Sequence, residues 1–271
     1  MIARQLKRLW AFVLVLDEHD ATGAASAMAF HAFFSLVPLF ALAGWAMHRL
    51  LQTDATAFEP LFRFTPTAVA KLADSQIMRL SEETESVLPP LSVIGFLWLC
   101  SGGLSQTMHQ FEKVFGCPPR SWLRRRGLAL LFVVVALIVV ALAVALGIEL
   151  YRLGPLGGLA ARWALPFLGL WLLVGMFFRY ATRRHEGTSP RGFVGALVTL
   201  TCWGVLSAGF SAYVRQIANY SQFFGGVATI AVLLFWLWLM SLALLIGGEV
   251  NARIEGQRTP LSRRYEPPLR R

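Results

Sequence analysis

The sequence predicts an all-α, polytopic membrane protein: six transmembrane helices, an interfacial helix ahead of them and a helical external loop. Three observations predict it. The 271 residues are 56% hydrophobic and 15% charged, against roughly 45–50% and about 25% in soluble domains. Six windows reach the roughly 20 mostly apolar residues that a spanning helix needs. Basic residues gather in alternate loops, as in chains oriented across a bilayer. The same composition excludes disorder, which needs low hydrophobicity and high charge.

Along the chain, residues 2–16 set Arg4, Lys7 and Arg8 beside Leu6, Leu9, Trp10, Phe12 and Val13. That pattern fits a short amphipathic helix lying on the inner membrane surface, so residues 1–20 form an interfacial segment. A secretory signal is the rival reading, because Ala25-Ser26-Ala27 follows the apolar run. Against it, Asp17, Glu18 and Asp20 intervene and the run is short. Residues 21–252 form the membrane domain. Its first span, about 24–47, holds His31, Ser35 and Pro38. The external loop, about 49–87, carries Thr65-Pro66, an N-cap followed by a first-position proline, which predicts a helix to about Arg79. The second span, 88–109, is interrupted by Ser101-Gly102-Gly103 and by Ser105-Gln106. The third, 127–150, is an almost unbroken Val/Leu/Ala run. The fourth, fifth and sixth cover about 159–180, 192–214 and 224–248, and a basic tail occupies 253–271.

The net charge of +10 fits either a nucleic-acid binder or a membrane protein, and its placement separates them. The N-terminal segment, the loops after the second and fourth spans, and the tail together hold 18 of the 25 Lys and Arg residues. The positive-inside rule then puts both termini in the cytoplasm. The charge is a topology signal, and nucleic acid is not an expected partner. The three cysteines sit far apart without a CxxC, and the five histidines are scattered. No cofactor, metal site or catalytic residue is expected: no GxSxG, HExxH, Walker loop or GxGxxG is present, nor the clustered ligands of a two-metal nuclease.

Two motifs carry a resemblance. The run Ala24-Ala25-Ser26-Ala27-Met28-Ala29-Phe30-His31-Ala32-Phe33-Phe34-Ser35-Leu36-Val37-Pro38-Leu39 resembles the first-span signature of the YihY/BrkB family of bacterial inner-membrane proteins. Asn219-Tyr220-Ser221, Gly225, Trp236-Leu237-Trp238 and Gly247-Gly248-Glu249-Val250-Asn251 are similar to its second signature. Trp98 to Ser101, Gly195-Ala196-Leu197 and Trp203 match between them, so the likeness covers about residues 10–255. His31 replaces a usual aromatic, Glu112 stands where the family commonly has Asn, and the usual proline after the fourth span is missing. The resemblance implies an envelope transport role. The family's older ribonuclease label is generally regarded as misassigned.

Ionisable groups at membrane depth are costly and usually face a cavity or a partner. His31, one turn from Ser35, reads as a substrate or proton contact, or as a histidine satisfied by a neighbouring helix. Pro38 removes an N–H and predicts a kink. Ser101 and Gln106 mark either a broken helix lining a pathway or a small-residue seam. Gly204, Ser207, Ala208 and Ser211 read as a packing seam on the fifth span, and Trp236 and Trp238 as core filling. Asn219, Tyr220 and Ser221 belong to a tight turn or to a cavity lining. Glu249 and Asn251 close the sixth span, with Glu249 a gate or an ion-pair partner for the arginines after the fourth span.

The expectation is a transporter or flippase-like factor for an envelope lipid or small solute, with its pathway between the first, second and sixth spans. The alternative is a non-enzymatic scaffold or accessory subunit of an envelope-assembly complex. Membrane lipids are the expected partners, with envelope proteins as further candidates. Substrate, coupling ion, direction and oligomeric state are not encoded in these motifs.

Overall fold

The computed structural model describes residues 2–53, 88–152, 154, 158, 164–181, 192–217 and 221–255. Every element among them is helical: α1 (Ile2–Glu18), α2 (Ala21–Thr53), α3 (Leu88–Val114), α4 (Trp122–Arg152), α5 (Leu165–Met176) running into a π turn (Phe177–Ala181), α6 (Gly192–Ile217) and α7 (Ser221–Ile254). Helices are the expected solution, because a segment in lipid must satisfy its backbone N–H and C=O groups internally.

Five of these, α2, α3, α4, α6 and α7, are long and apolar enough to cross a membrane. The fourth predicted span is seen as the shorter apolar helix Leu165–Tyr180; residues 159–163 lie outside the described residues. So do the helix predicted at 65–79 and most of the basic tail. The helices outrun the predicted spans. α2 has 33 residues, about 50 Å at 1.5 Å per residue, where the hydrocarbon core measures about 30 Å. Hydropathy marks only the apolar middle of a helix, whereas backbone hydrogen bonding continues into its polar ends.

The α1–α2 break is local and tight. Asp20 adopts a positive φ of 51°, which Asp tolerates better than most residues. Its N–H donates to the Asp17 carbonyl at 2.8 Å, and Ala24 N–H donates to the Asp20 carbonyl at 3.0 Å. The predicted interruption at Ser101-Gly102-Gly103 is not a break, since α3 is continuous through it. α2 is likewise one helix through Pro38.

The chain divides into two compact units. One comprises Phe34–Ser101 and Leu130–Leu170. Within it Pro38 packs over Gly95, its Cβ 3.7 Å from where a side chain there would begin. Ser35 is buried, and Ser101, fully buried, donates its hydroxyl to the Trp98 carbonyl at 3.0 Å. Leu131, Leu137, Ile138, Val140, Leu142 and Leu146 of α4 are exposed, a contiguous apolar surface suited to lipid.

The other unit comprises Met1–Phe33, Gly102–Ala129 and Trp171–Arg271. Here α6 and α7 pack along each other. Their crossing is closest where Gly247 meets Gly195 and Thr199: a Cβ on Gly247 would overlap the Thr199 hydroxyl and lie 2.7 Å from the Gly195 carbonyl. The seam predicted at Gly204 to Ser211 meets α7 only in part, through the half-buried Ser207, whose hydroxyl lies 3.9 Å from Met240 Sδ. Gly204 and Ala208 are exposed, with open space over Gly204. Composition alone cannot tell a small residue facing a helix from one facing lipid.

Indoles tie the helices of this unit together. Trp203 Nε1 donates to the Met240 carbonyl at 2.8 Å and Trp171 Nε1 to the Phe193 carbonyl at 3.1 Å. Trp238 is half-buried and reaches the Thr22 carbonyl at 3.3 Å, while Trp236, also half-buried, lies near Phe210. Trp203→Phe keeps an aromatic side chain but loses the indole N–H and part of its volume, and should cost at least about 1 kcal/mol, a typical net hydrogen bond. Thermal unfolding in detergent checks it, and an unchanged midpoint would deny the bond any stabilising role. Phe111, fully buried, meets Phe178 at 5.4 Å and Phe177 at 6.1 Å. The π turn at the end of α5 carries both of those rings inward.

Candidate functional site

Buried polar side chains concentrate where the α1–α2 turn, the C-terminal part of α3, the start of α4 and the C-terminal part of α7 carry them. Most hydroxyls in the spans are satisfied within their own helix. Thr107 donates to the Gly103 carbonyl, Thr199 to Gly195 and Ser241 to Leu237, each bond 2.8–3.0 Å long. These are ordinary back-bonds to a carbonyl four residues earlier. Several charged and amide groups also bond between elements.

The first cluster centres on Glu112, 1% exposed. Arg120 Nε lies 3.8 Å from Glu112 Oε1 and Arg125 Nη1 3.7 Å from Oε2. The Arg120 backbone N–H donates to Oε2 at 3.2 Å, and Cys117 N–H donates to the Glu112 carbonyl at 2.9 Å. Arg125 lies along one face of α3: its Nε donates to Ser105 Oγ at 3.2 Å and its Nη1 to His109 Nδ1 at 3.2 Å. A guanidinium can only donate, so His109 Nδ1 accepts. The 3.8 Å approach of that nitrogen to Glu112 is therefore not a salt bridge. The helical spacing 105, 109, 112 is what lets one arginine touch all three.

The second cluster joins α7 to the α1–α2 turn. Glu249 Oε2 is 3.3 Å from His19 Nδ1, the two side chains 4% and 5% exposed. Glu249 Oε1 is 3.5 Å from Arg253 Nε, one turn on. The Arg253 guanidinium sits over the Phe12 ring, 4.4 Å from its centroid. Gln110 Nε2 donates to the His19 carbonyl, one of the groups that the end of α1 leaves without an intrahelical partner. Asn251, fully buried, donates to Glu255 Oε1 at 2.9 Å and packs on Gly195. Phe111 covers Gly248, where any side chain would meet its ring. Residues 110, 111 and 112 thus each secure a different contact.

His31 lies elsewhere in the same unit. Its Nδ1 donates to the Ala27 carbonyl at 2.8 Å, and its ring covers Gly102. Its Nε2 and Arg126 Nη1 both come within about 3 Å of the point a Cβ on Gly102 would occupy (2.9 and 3.1 Å). The interruption in the second span is therefore a seat for an imidazole.

Of the residues singled out in the sequence, Glu249 is buried and paired, though with His19 and Arg253; residues 182–191, which hold three of the four arginines expected to face it, lie outside the described residues. Asn251 is in the same helix end but faces α6. His31 sits by Arg126 on Gly102. Ser35, Pro38 and Ser101 belong to the other unit, and Gln106 is half-buried and joins neither cluster. Asn219 and Tyr220 lie outside the described residues, as does the side chain of Ser221, whose backbone begins α7. Sequence reading missed His19 and Gln110 altogether and met Glu112 only as a departure from a family pattern. A carboxylate with basic residues eight and thirteen positions later was the one available signal. Among the described residues no group of three or more His, Cys, Asp or Glu side chains is placed to hold a metal.

Comparison with known proteins adds a family. The family model described as "Virulence factor BrkB" matches residues 12–269. A putative ribonuclease-like protein, YfkH, of Bacillus subtilis (strain 168) is 23% identical over 249 residues, covering 86% of this chain and 90% of that protein. A UPF0761 membrane protein of Aeromonas salmonicida (strain A449) is 36% identical over 70 residues, 26% of this chain and 24% of its own. Another, from Vibrio vulnificus (strain YJ016), is 33% identical over 94 residues, 34% and 29% of the two chains. No solved structure matches.

Proposed function

The chain belongs to the virulence factor BrkB family of membrane proteins, and on that premise we propose a transporter or flippase-like protein for an envelope lipid or small solute. It would lie in the bacterial inner membrane with both termini in the cytoplasm, the orientation that the placement of Lys and Arg favours. The observation that carries the reading is the set of buried ionisable and amide groups on α1–α2, α3 and α7: His19, Gln110, Glu112, Glu249 and Asn251. Such groups are expensive at membrane depth and typically mark substrate or ion pathways. His31 beside Arg126 adds a pair of nitrogen groups on the bare backbone of Gly102, where a polar headgroup or anion would be met. The ribonuclease-like name of one relative supplies no ligand set, and among the described residues the clusters contain none of the grouped carboxylates that two-metal chemistry uses.

Full-length protein reconstituted in vesicles should move a labelled lipid or solute. His31→Ala should slow it about tenfold, as expected for losing one interaction of roughly 1.4 kcal/mol, without lowering thermal stability to match. Glu249→Gln should slow it as well, with some loss of stability because His19 loses its partner. No flux over a broad substrate panel, from folded protein, would overturn the reading. If a single stoichiometric partner then co-purified from native membranes, the accessory-subunit alternative would replace it.

A further inference from the structure

Glu112 determines which cations of the α3–α4 segment are already engaged. It holds Arg120 and Arg125. Arg124, between them in the chain, is exposed and takes part in no ion pair among the described residues, and Lys113 is likewise exposed. Arg124 stands in the first turn of α4, where there is no acidic residue. Positive charge there adds to the positive end of the helix dipole and calls for an anion. Its immediate neighbours are apolar and outward: Trp122 is 59% exposed and Leu123 74%, with Pro118 and Pro119 exposed before them. The candidate membrane span Trp122–Gly147 begins at this point.

An exposed indole and leucine beside an unengaged guanidinium, at the first turn of a spanning helix, match the chemistry of a phospholipid headgroup layer. Amphipathic indoles settle at headgroup level, and each basic residue near an anionic leaflet adds attraction. A soluble anion would account for Arg124 but not for Trp122 and Leu123, and the start of a spanning helix at Trp122 favours a bilayer surface over a soluble partner. We propose that residues 118–124 form a binding surface for anionic phospholipid: Trp122 and Leu123 enter the headgroup region, Arg124 binds a lipid phosphate, and Glu112 keeps Arg120 and Arg125 out of that contact. The surface adjoins the Glu112 cluster and stands whether or not the chain transports anything.

The test is native mass spectrometry of the full-length protein in a neutral detergent, titrated with phosphatidylglycerol or with phosphatidylcholine of the same acyl chains. The wild-type protein should bind phosphatidylglycerol more tightly. Arg124→Gln should weaken that binding about fivefold, the increment of one interfacial basic residue, and leave phosphatidylcholine unchanged. Arg124→Lys should retain most of the preference, and Trp122→Ala should weaken both lipids. These side chains are exposed, so folding is not at stake. Equal binding of the two lipids by the wild type, or a preference that survives Arg124→Gln, overturns the proposal. So does displacement of phosphatidylglycerol by inorganic phosphate, which would identify a soluble anion as the occupant.

Discussion

Replacing Glu112 by alanine is expected to lower stability by about 3–5 kcal/mol, the usual cost of removing one partner from a buried ion pair. The carboxylate is almost completely buried and serves two guanidinium groups, which are 16% and 15% exposed. It also accepts the Arg120 backbone N–H. Without it, Arg120 and Arg125 repel each other in a partly desolvated site, and the link from residues 117–121 to α3 loses its anchor. Thermal unfolding of the full-length protein in detergent should show a large drop in the midpoint. Glu112→Gln, which retains an oxygen for the Arg120 N–H, should fall between alanine and wild type. Combining Glu112→Gln with Arg125→Gln should cost less than the sum of the single changes, since the second removes a charge that the first has stranded. Strict additivity would show that the two groups do not interact.

The second large effect is expected at Gly247. A side chain there meets a hydroxyl of Thr199 and, 2.7 Å away, the carbonyl oxygen of Gly195. Side chains can rotate away, but the backbone of a packed helix cannot. Gly247→Val should therefore force α6 and α7 apart and cost roughly 3 kcal/mol, the upper end of ordinary overpacking. Separating the helices would also stretch the bond from Trp203 to Met240. Adding Thr199→Ala should rescue only part of the loss, because the Gly195 carbonyl remains. Gly248→Ala gives a useful contrast, since its obstacle is the Phe111 ring. That change should cost less if the ring tilts. Equal tolerance of all three changes would mean that the α6–α7 crossing is not as close as described.

The sequence reading placed the α2, α3, α4, α6 and α7 spans well because each rests on a long apolar run, and hydropathy is additive along the chain. It misjudged details that depend on rotation about a helix axis. Gly204 and Gly195 both sit among small residues nine positions apart, yet only Gly195 faces α7. Of the two readings of Ser101-Gly102-Gly103, a broken helix or a small-residue seam, the close approach of the His31 ring to Gly102 fits the seam. Glu249 was expected to find an ionic partner, but its contacts turned out to be His19 and Arg253. Trp10, placed by its sequence on an interfacial amphipathic helix, is exposed.

Composition, the apolar runs and the two signature motifs were enough to determine an all-helical membrane protein and its family. The tertiary structure alone decided which polar groups meet: His19 with Glu249, Gln110 with the end of α1, and Glu112 with Arg120 and Arg125. A helix in water advertises its buried face through amphipathic periodicity. In lipid both faces are apolar, so that signal is nearly absent, and contacts between residues as far apart as 19 and 249 are fixed by close packing of small residues and by polar groups seeking partners.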